Sequence, residues 1–351
     1  MNQRKLFLTT LILAIALILC IGIFSFTVSK LKFNSDKLLS NVDAREYNSI
    51  IAAKQPFDAV ILGTSMSQGF HCSDLDAVCG CQSLKLTCNG SSLAEIKFLA
   101  DYARKYRKLK YVLLDCHLFT YAQEQTLDKM PLQLYSPQAD LFLLKQSFSI
   151  NLLSDNIEFV SRYLRGKVKV VSRDALYDWN SKNTCGEKQL ARAVLFKTHK
   201  VYDYNDEFIS KASKNIKRHL LPLFQESPET RFFLFFPPYS AMFYRGSDPA
   251  GYIRLKEAVM ELLLTQKNVE LYDFQTEFSI TENLECYEDL THYSGRINAW
   301  MISQIKKKSY LVTDENRKKL LAKHLAQLKR YDYQGTYKKL DDKYGKKKKK
   351  K

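Results

Sequence analysis

No Cys-x-x-Cys pair occurs among the eight cysteines, so a zinc ribbon is not the organising centre of this chain. No internal repeat recurs, which sets aside solenoids and propellers. The Gly-x-Ser-x-Gly elbow of lipases is also missing. Acidic residues are few: 37 Asp and Glu face 54 Lys and Arg, a formal charge of +17. No nucleic-acid-binding motif accompanies that excess, and much of it gathers near the C-terminus, in Lys306–Lys308, Arg317–Lys319 and Lys346–Lys351. Nucleic acid is therefore a poor partner. Such a block reads as a solvated tail, or as an attraction to anionic lipid headgroups or cell-wall polymers.

What remains is a chain able to bury a core. Its 351 residues are 46% hydrophobic and 26% charged, enough for one large domain or two small ones. Aromatics at 13% suit either stacking on sugar rings or ordinary core packing. After a short basic flank, residues 1–5, the run Leu6–Val28 carries no charge. At about 1.5 Å per residue it spans a hydrocarbon core of about 30 Å. A cleaved signal would have a shorter apolar stretch. A lipoprotein signal wants a small residue before its cysteine, and Leu19 precedes Cys20. The run therefore reads as a retained single-pass anchor in the cytoplasmic (inner) membrane, followed by a stalk over 29–55. The flanking positive charges nearly balance, and the large domain is expected outside the cytoplasm. There Cys72, Cys79, Cys81 and Cys88 crowd together, as disulfides, as buried thiols, or with His71 as a metal site.

Strand and helix patterns alternate over 56–312. Phe57–Leu62, Ser83–Thr87, Leu109–Asp115, Arg231–Phe236 and Val269–Phe274 read as short buried strands. Ser92–Tyr106, Gly251–Gln266 and Ser294–Ile305 read as helices between or after them. That alternation predicts an α/β fold with a mostly parallel sheet covered on both faces. A helical insertion is expected around 128–225, and a basic helical tail over 313–351.

Three motifs carry chemistry. Gly63-Thr64-Ser65-Met66-Ser67 follows the first strand, where open α/β sheets present reacting groups. Ser65 there is a nucleophile or, alone, a helix N-cap. Asp289-Leu290-Thr291-His292 lies near the domain's end. A serine hydroxyl needs a histidine to take its proton, and that histidine needs a carboxylate to fix its tautomer. Cys88-Asn89-Gly90-Ser91 follows the second strand. It offers a Gly90 N–H or the Asn89 amide to an oxyanion, or is a plain Asn-Gly turn.

The segments DAVILGTSMSQGF, LKLTCNGSSLAEI, KYVLLDCHLFTY, FFPPYS and DLTHYSGRINAWM resemble the SGNH/GDSL hydrolase superfamily over about residues 55–312. They are most similar to membrane-anchored SGNH-like proteins of bacterial envelope polysaccharide assembly. The resemblance implies a three-layer α/β/α sandwich with a flavodoxin-like sheet. It also implies Ser65 as nucleophile, the N–H groups of Ser65 and Gly90 (or the Asn89 amide) as oxyanion hole, and Asp289 and His292 as acid and base. One departure stands out: the asparagine usual after the third strand is absent from Leu114-Asp115-Cys116-His117. Asp115, His117 and Tyr239 are candidate pocket-lining residues. The expected activity is ester cleavage on O-acyl groups of an envelope polysaccharide, with no metal or organic cofactor. Its rivals are an O-acyltransferase working with a multi-pass membrane acyl donor, and a non-catalytic polysaccharide-binding scaffold.

Overall fold

A computed structural model describes residues 3–34, 36–180, 183–198 and 200–345. The lysine run Lys346–Lys351, read above as a tail, lies outside the described residues. The strands are β1 (Ala59–Gly63), β2 (Ser83–Thr87), β3 (Tyr111–Asp115), β4 (Arg231–Phe236) and β5 (Val269–Asp273). The first seven helices are α1 (Gln3–Asn34), α2 (Ala44–Lys54), α3 (Ser65–Gln68), α4 (Cys72–Cys79), α5 (Leu93–Tyr106), α6 (Ala139–Gln146) and α7 (Ile150–Leu164). The other seven are α8 (Glu187–Phe196), α9 (Asp206–Gln225), α10 (Pro249–Leu264), α11 (Phe278–Thr281), α12 (Gly295–Lys306), α13 (Arg317–Arg330) and α14 (Tyr333–Tyr344).

The chain divides into two compact units, Met1–Gln55 with Asp128–Ser172, and Pro56–Leu127 with Arg173–Lys351. The second holds the sheet, in the order β2-β1-β3-β4-β5 with every pairing parallel. That is the flavodoxin-like order, and its switch point falls between β1 and β3. β1 and β2 are buried along their whole length, because helices cover both faces of a parallel sheet. One layer pairs α4 with α12; the other packs α5, α9 and α10 together, with α13 against α10. The fold class is thus an α/β/α sandwich, together with one apolar N-terminal helix. Helix α5 starts where its sequence says: Ser92 and Glu95 form a capping box.

Two regions depart from the expected plan. The stretch 128–225 is not one insertion. Residues 128–172 group with α1 and α2, whereas α9 is a covering helix of the sheet. Its apolar stripe, Ala212, Ile216, Leu220 and Leu223, is buried. Beyond residue 313 the chain is basic but not simply solvated. Leu321 and Leu328 of α13 are buried, and Lys256 Nζ, itself fully enclosed, donates to Asp273 Oδ1 at 2.7 Å and to His324 Nδ1 at 3.1 Å. Burial, aided by the Lys256 charge, pushes the His324 imidazole well below its ordinary value, so it stays a neutral acceptor. All eight cysteines are free thiols.

In the first unit, α1 is long and apolar enough to cross a membrane, with a mean hydropathy of 2.9 in its most apolar window. Nearly all of that window faces outward.

Candidate active site

Three loops at the carboxyl ends of strands, and one segment after β5, converge on Ser65. β1 ends at Gly63, whose φ of 122° is open to glycine and strained for any other residue. A Cβ there would stand 1.8 Å from Asp115 Oδ1 and 2.7 Å from Ser67 Oγ. Thr64 then caps α3: its side chain accepts from the Met66 N–H, and Ser65 is the first helical residue, not the N-cap. That frees the Ser65 hydroxyl for other partners.

Asp115, at the end of β3, braces this turn. Its carboxylate accepts from the Thr64 N–H (2.8 Å), the Thr64 hydroxyl (2.9 Å) and the Ser67 hydroxyl (2.6 Å). Asp115 is fully enclosed, so it lines no open pocket. Complete burial raises its carboxyl, against the opposing pull of these donors. Ser67, the residue that spoils the lipase elbow pattern, is thus one of the three groups holding the turn. Gly63→Ala is expected to cost about 3 kcal/mol or more, since it combines a strained φ with the loss of buried hydrogen bonds. Urea unfolding tests this; an unchanged midpoint would mean the turn is not held as described.

The segment Asp289–His292 brings the imidazole to Ser65. Ser65 Oγ lies 2.9 Å from His292 Nε2, and His292 Nδ1 lies 2.8 Å from Asp289 Oδ2. Asp289 Oδ1 accepts the backbone N–H groups of Thr291 (2.9 Å) and His292 (2.8 Å). Burial alone would raise the Asp289 carboxyl. The His292 hydrogen bond and charge, with these two N–H groups, outweigh burial and hold it well below the usual carboxylate range. A carboxylate that stays ionised against Nδ1 keeps the other nitrogen, Nε2, free to accept a proton.

Gly90 and Asn89 sit on an exposed loop after β2, with Gly90 at φ 58° and open space where a Cβ would stand. The loop is tied to the nucleophile turn, because the Gly63 carbonyl accepts from the Cys88 N–H (3.2 Å) and the Ser91 hydroxyl (3.1 Å).

His117 and Tyr239 form an inner pair: the Tyr239 hydroxyl and His117 Nδ1 are 2.7 Å apart. Tyr239 is wholly buried and does not border an open cleft. Burial raises its phenol far above the ordinary value, so it stays protonated. Burial, with the His292 charge second, pushes His117 down to about 3. His117 is therefore neutral, and its tautomer decides which way the hydrogen bond between Nδ1 and the Tyr239 hydroxyl runs.

Trp179 escaped the sequence reading. Its Nε1 donates to the Ser65 carbonyl (2.8 Å), and its ring meets His292 edge-on at 5.0 Å. It lies in an irregular segment just after Tyr177, a non-glycine residue at φ 57°. The one signal available was rarity, as the chain has just two tryptophans. Beside Asp289 opens a cavity of about 200 Å³, lined by Phe119, Lys197, Lys200, Tyr202, Phe243 and Thr291 among others.

No family model matches the chain, and no curated protein matches it. Among solved structures it is similar to a Streptococcus pneumonia protein provisionally described as a platelet activating factor, at 10% identity and a TM-score of 0.41, over 76% of this chain and 89% of that one.

Proposed function

We propose that this protein is a membrane-anchored serine esterase that removes O-acyl groups, acetyl among them, from an envelope polysaccharide. The observation that carries the reading is the pair of contacts Ser65 Oγ–His292 Nε2 (2.9 Å) and His292 Nδ1–Asp289 Oδ2 (2.8 Å), made by residues 227 and 3 positions apart. In the first half-reaction Ser65 Oγ attacks the acyl carbonyl carbon while His292 Nε2 takes the hydroxyl proton. The carbonyl oxygen becomes an oxyanion, held by the Ser65 and Gly90 N–H groups, with the Asn89 amide as the alternative donor on that loop. Collapse expels the sugar oxygen, which takes the proton from His292. Water then attacks the acyl carbon while His292 takes its proton; the C–Oγ bond breaks, Ser65 Oγ takes that proton back, and the carboxylic acid leaves. Asp289 keeps the imidazole in the tautomer that both halves need.

His117 stands where the resemblance would put an asparagine, and in the tautomer in which Tyr239 donates to Nδ1 its Nε2–H serves as the third oxyanion donor. Removing one such donor lowers kcat by about 100- to 1000-fold. His117→Phe should show that loss with KM nearly unchanged, and His117→Gln should recover part of it. An unaltered kcat in His117→Phe would exclude the role.

The substrate class rests on resemblance and on the cavity beside Asp289, where aromatic rings and two lysines suit sugar faces and anionic substituents. The anchor reading rests on the uncharged Leu6–Val28 run and the absence of a small residue before Cys20. The catalytic unit is assigned to the outer side of the cytoplasmic membrane.

A fluorophosphonate probe tests the chemistry. Labelling is expected at Ser65 and lost in His292→Ala; folded protein that resists the probe would return the chain to the scaffold reading. Cells carrying Ser65→Ala then separate two fates of the acyl-enzyme. A deacylase variant leaves more O-acetyl on the polymer, while an acyltransferase, passing the group to a sugar hydroxyl, leaves less.

A further inference from the structure

Helix α7 carries an apolar half-face at helical spacing, Ile150, Leu153, Ile157, Val160 and Leu164. Soluble helices bury such a stripe, yet Ile150 is 82% exposed, Ile157 53% and Leu164 78%. Leu141 and Leu144 of α6, with Phe148 in the turn, extend the uncovered apolar surface. The opposite face of α7 bears Asp155, Glu158 and Arg162.

The neighbouring α1 says what covers this face. The end of its uncharged run packs on α6 and α7 through Gly22, Ser25 and Ser29. A Cβ at Gly22 would stand 2.3 Å from the Phe148 ring. Asn156 Nδ2, on α7, donates to the Ser25 carbonyl (2.8 Å), the Ser25 hydroxyl (3.0 Å) and the Ser29 hydroxyl (3.0 Å). Small residues for close approach and fully paired polar groups are what helix packing in a bilayer requires. Gly22 lies about 9 Å along the helix from Val28, the end of the uncharged run. The contact therefore falls within the uncharged stretch of α1, and the exposed apolar residues of α6 and α7 lie on helices packed against it.

We infer that α6 and α7 form a second membrane element, an interfacial hairpin that lies beside α1 with its apolar stripe in the acyl-chain boundary of the bilayer. The inference rests on α1 being a membrane span. Such helices sink about 5–10 Å below the headgroups, which matches the depth of the Gly22–Phe148 contact. Arg165, Lys167 and Lys169, all exposed after the stripe, meet anionic headgroups. The hairpin fixes the rotation and depth of the anchor, which a lone span leaves free.

The test uses full-length protein in vesicles of brominated phosphatidylcholine and phosphatidylglycerol. Single tryptophans are added at Leu13→Trp, Ile157→Trp and Glu158→Trp, over the constant background of Trp179 and Trp300. Added emission at Ile157→Trp is expected to be quenched several-fold more than at Glu158→Trp, and Leu13→Trp should be quenched most strongly. Quenching at Leu13→Trp without quenching at Ile157→Trp overturns the hairpin alone and leaves its apolar face to a protein partner. No quenching at Leu13→Trp overturns the span itself, whatever the hairpin does.

Discussion

Ser65→Ala is expected to lower ester turnover by about a million-fold, the loss seen when a serine hydrolase is stripped of its nucleophile. The reason is local. Among the described residues the hydroxyl pairs with His292 Nε2 at 2.9 Å, while the turn around it is held by Thr64, Ser67 and Asp115. Deleting the hydroxyl therefore removes the covalent route and leaves the scaffold standing. Residual catalysis of about 1000- to 10,000-fold over water should persist through the oxyanion donors and binding. A double variant, Ser65→Ala with His292→Ala, should be no slower than either single one, because a nucleophile and its base act as a unit. Turnover of p-nitrophenyl acetate measures both effects. A Ser65→Ala rate within ten-fold of the parent would remove Ser65 from the chemistry.

Asp289→Asn is expected to cost about 10,000-fold in kcat with the geometry intact. The asparagine carbonyl can still accept the Thr291 and His292 N–H groups that now bond Oδ1. Its amide, however, would donate to Nδ1, forcing the proton onto Nε2, where it faces the Ser65 hydroxyl. The imidazole would then be a donor at the moment it must be a base. The wild-type carboxylate avoids this because it is held ionised, well below the usual range. Unfolding midpoints should stay close to the parent's, so a stability loss as large as the activity loss would point to a structural role for Asp289.

Much of this was legible in the chain itself. β2 begins and ends where the apolar pattern does, α5 starts at its capping box, and the parallel order follows from alternating strands and helices. Helix α9 falls in the stretch expected as an insertion because its twenty residues follow α6 and α7 in a region without strands. Periodicity reports that a helix has a buried face, and does not say against which layer.

The sequence alone settled local matters: an uncharged run long enough to cross a bilayer, strands buried on both faces, a glycine turn before a serine, and an Asp three residues before a His. Each follows from forces acting within a few turns of backbone. Tertiary structure alone decided that Asp115 braces a turn, that Tyr239 pairs with His117, and that Trp179 holds the Ser65 carbonyl. It also decided that the apolar stripe of α7 stays uncovered beside α1. Those outcomes depend on contacts between segments tens to hundreds of residues apart, where hydrogen-bond geometry and burial, not spacing, choose the partner.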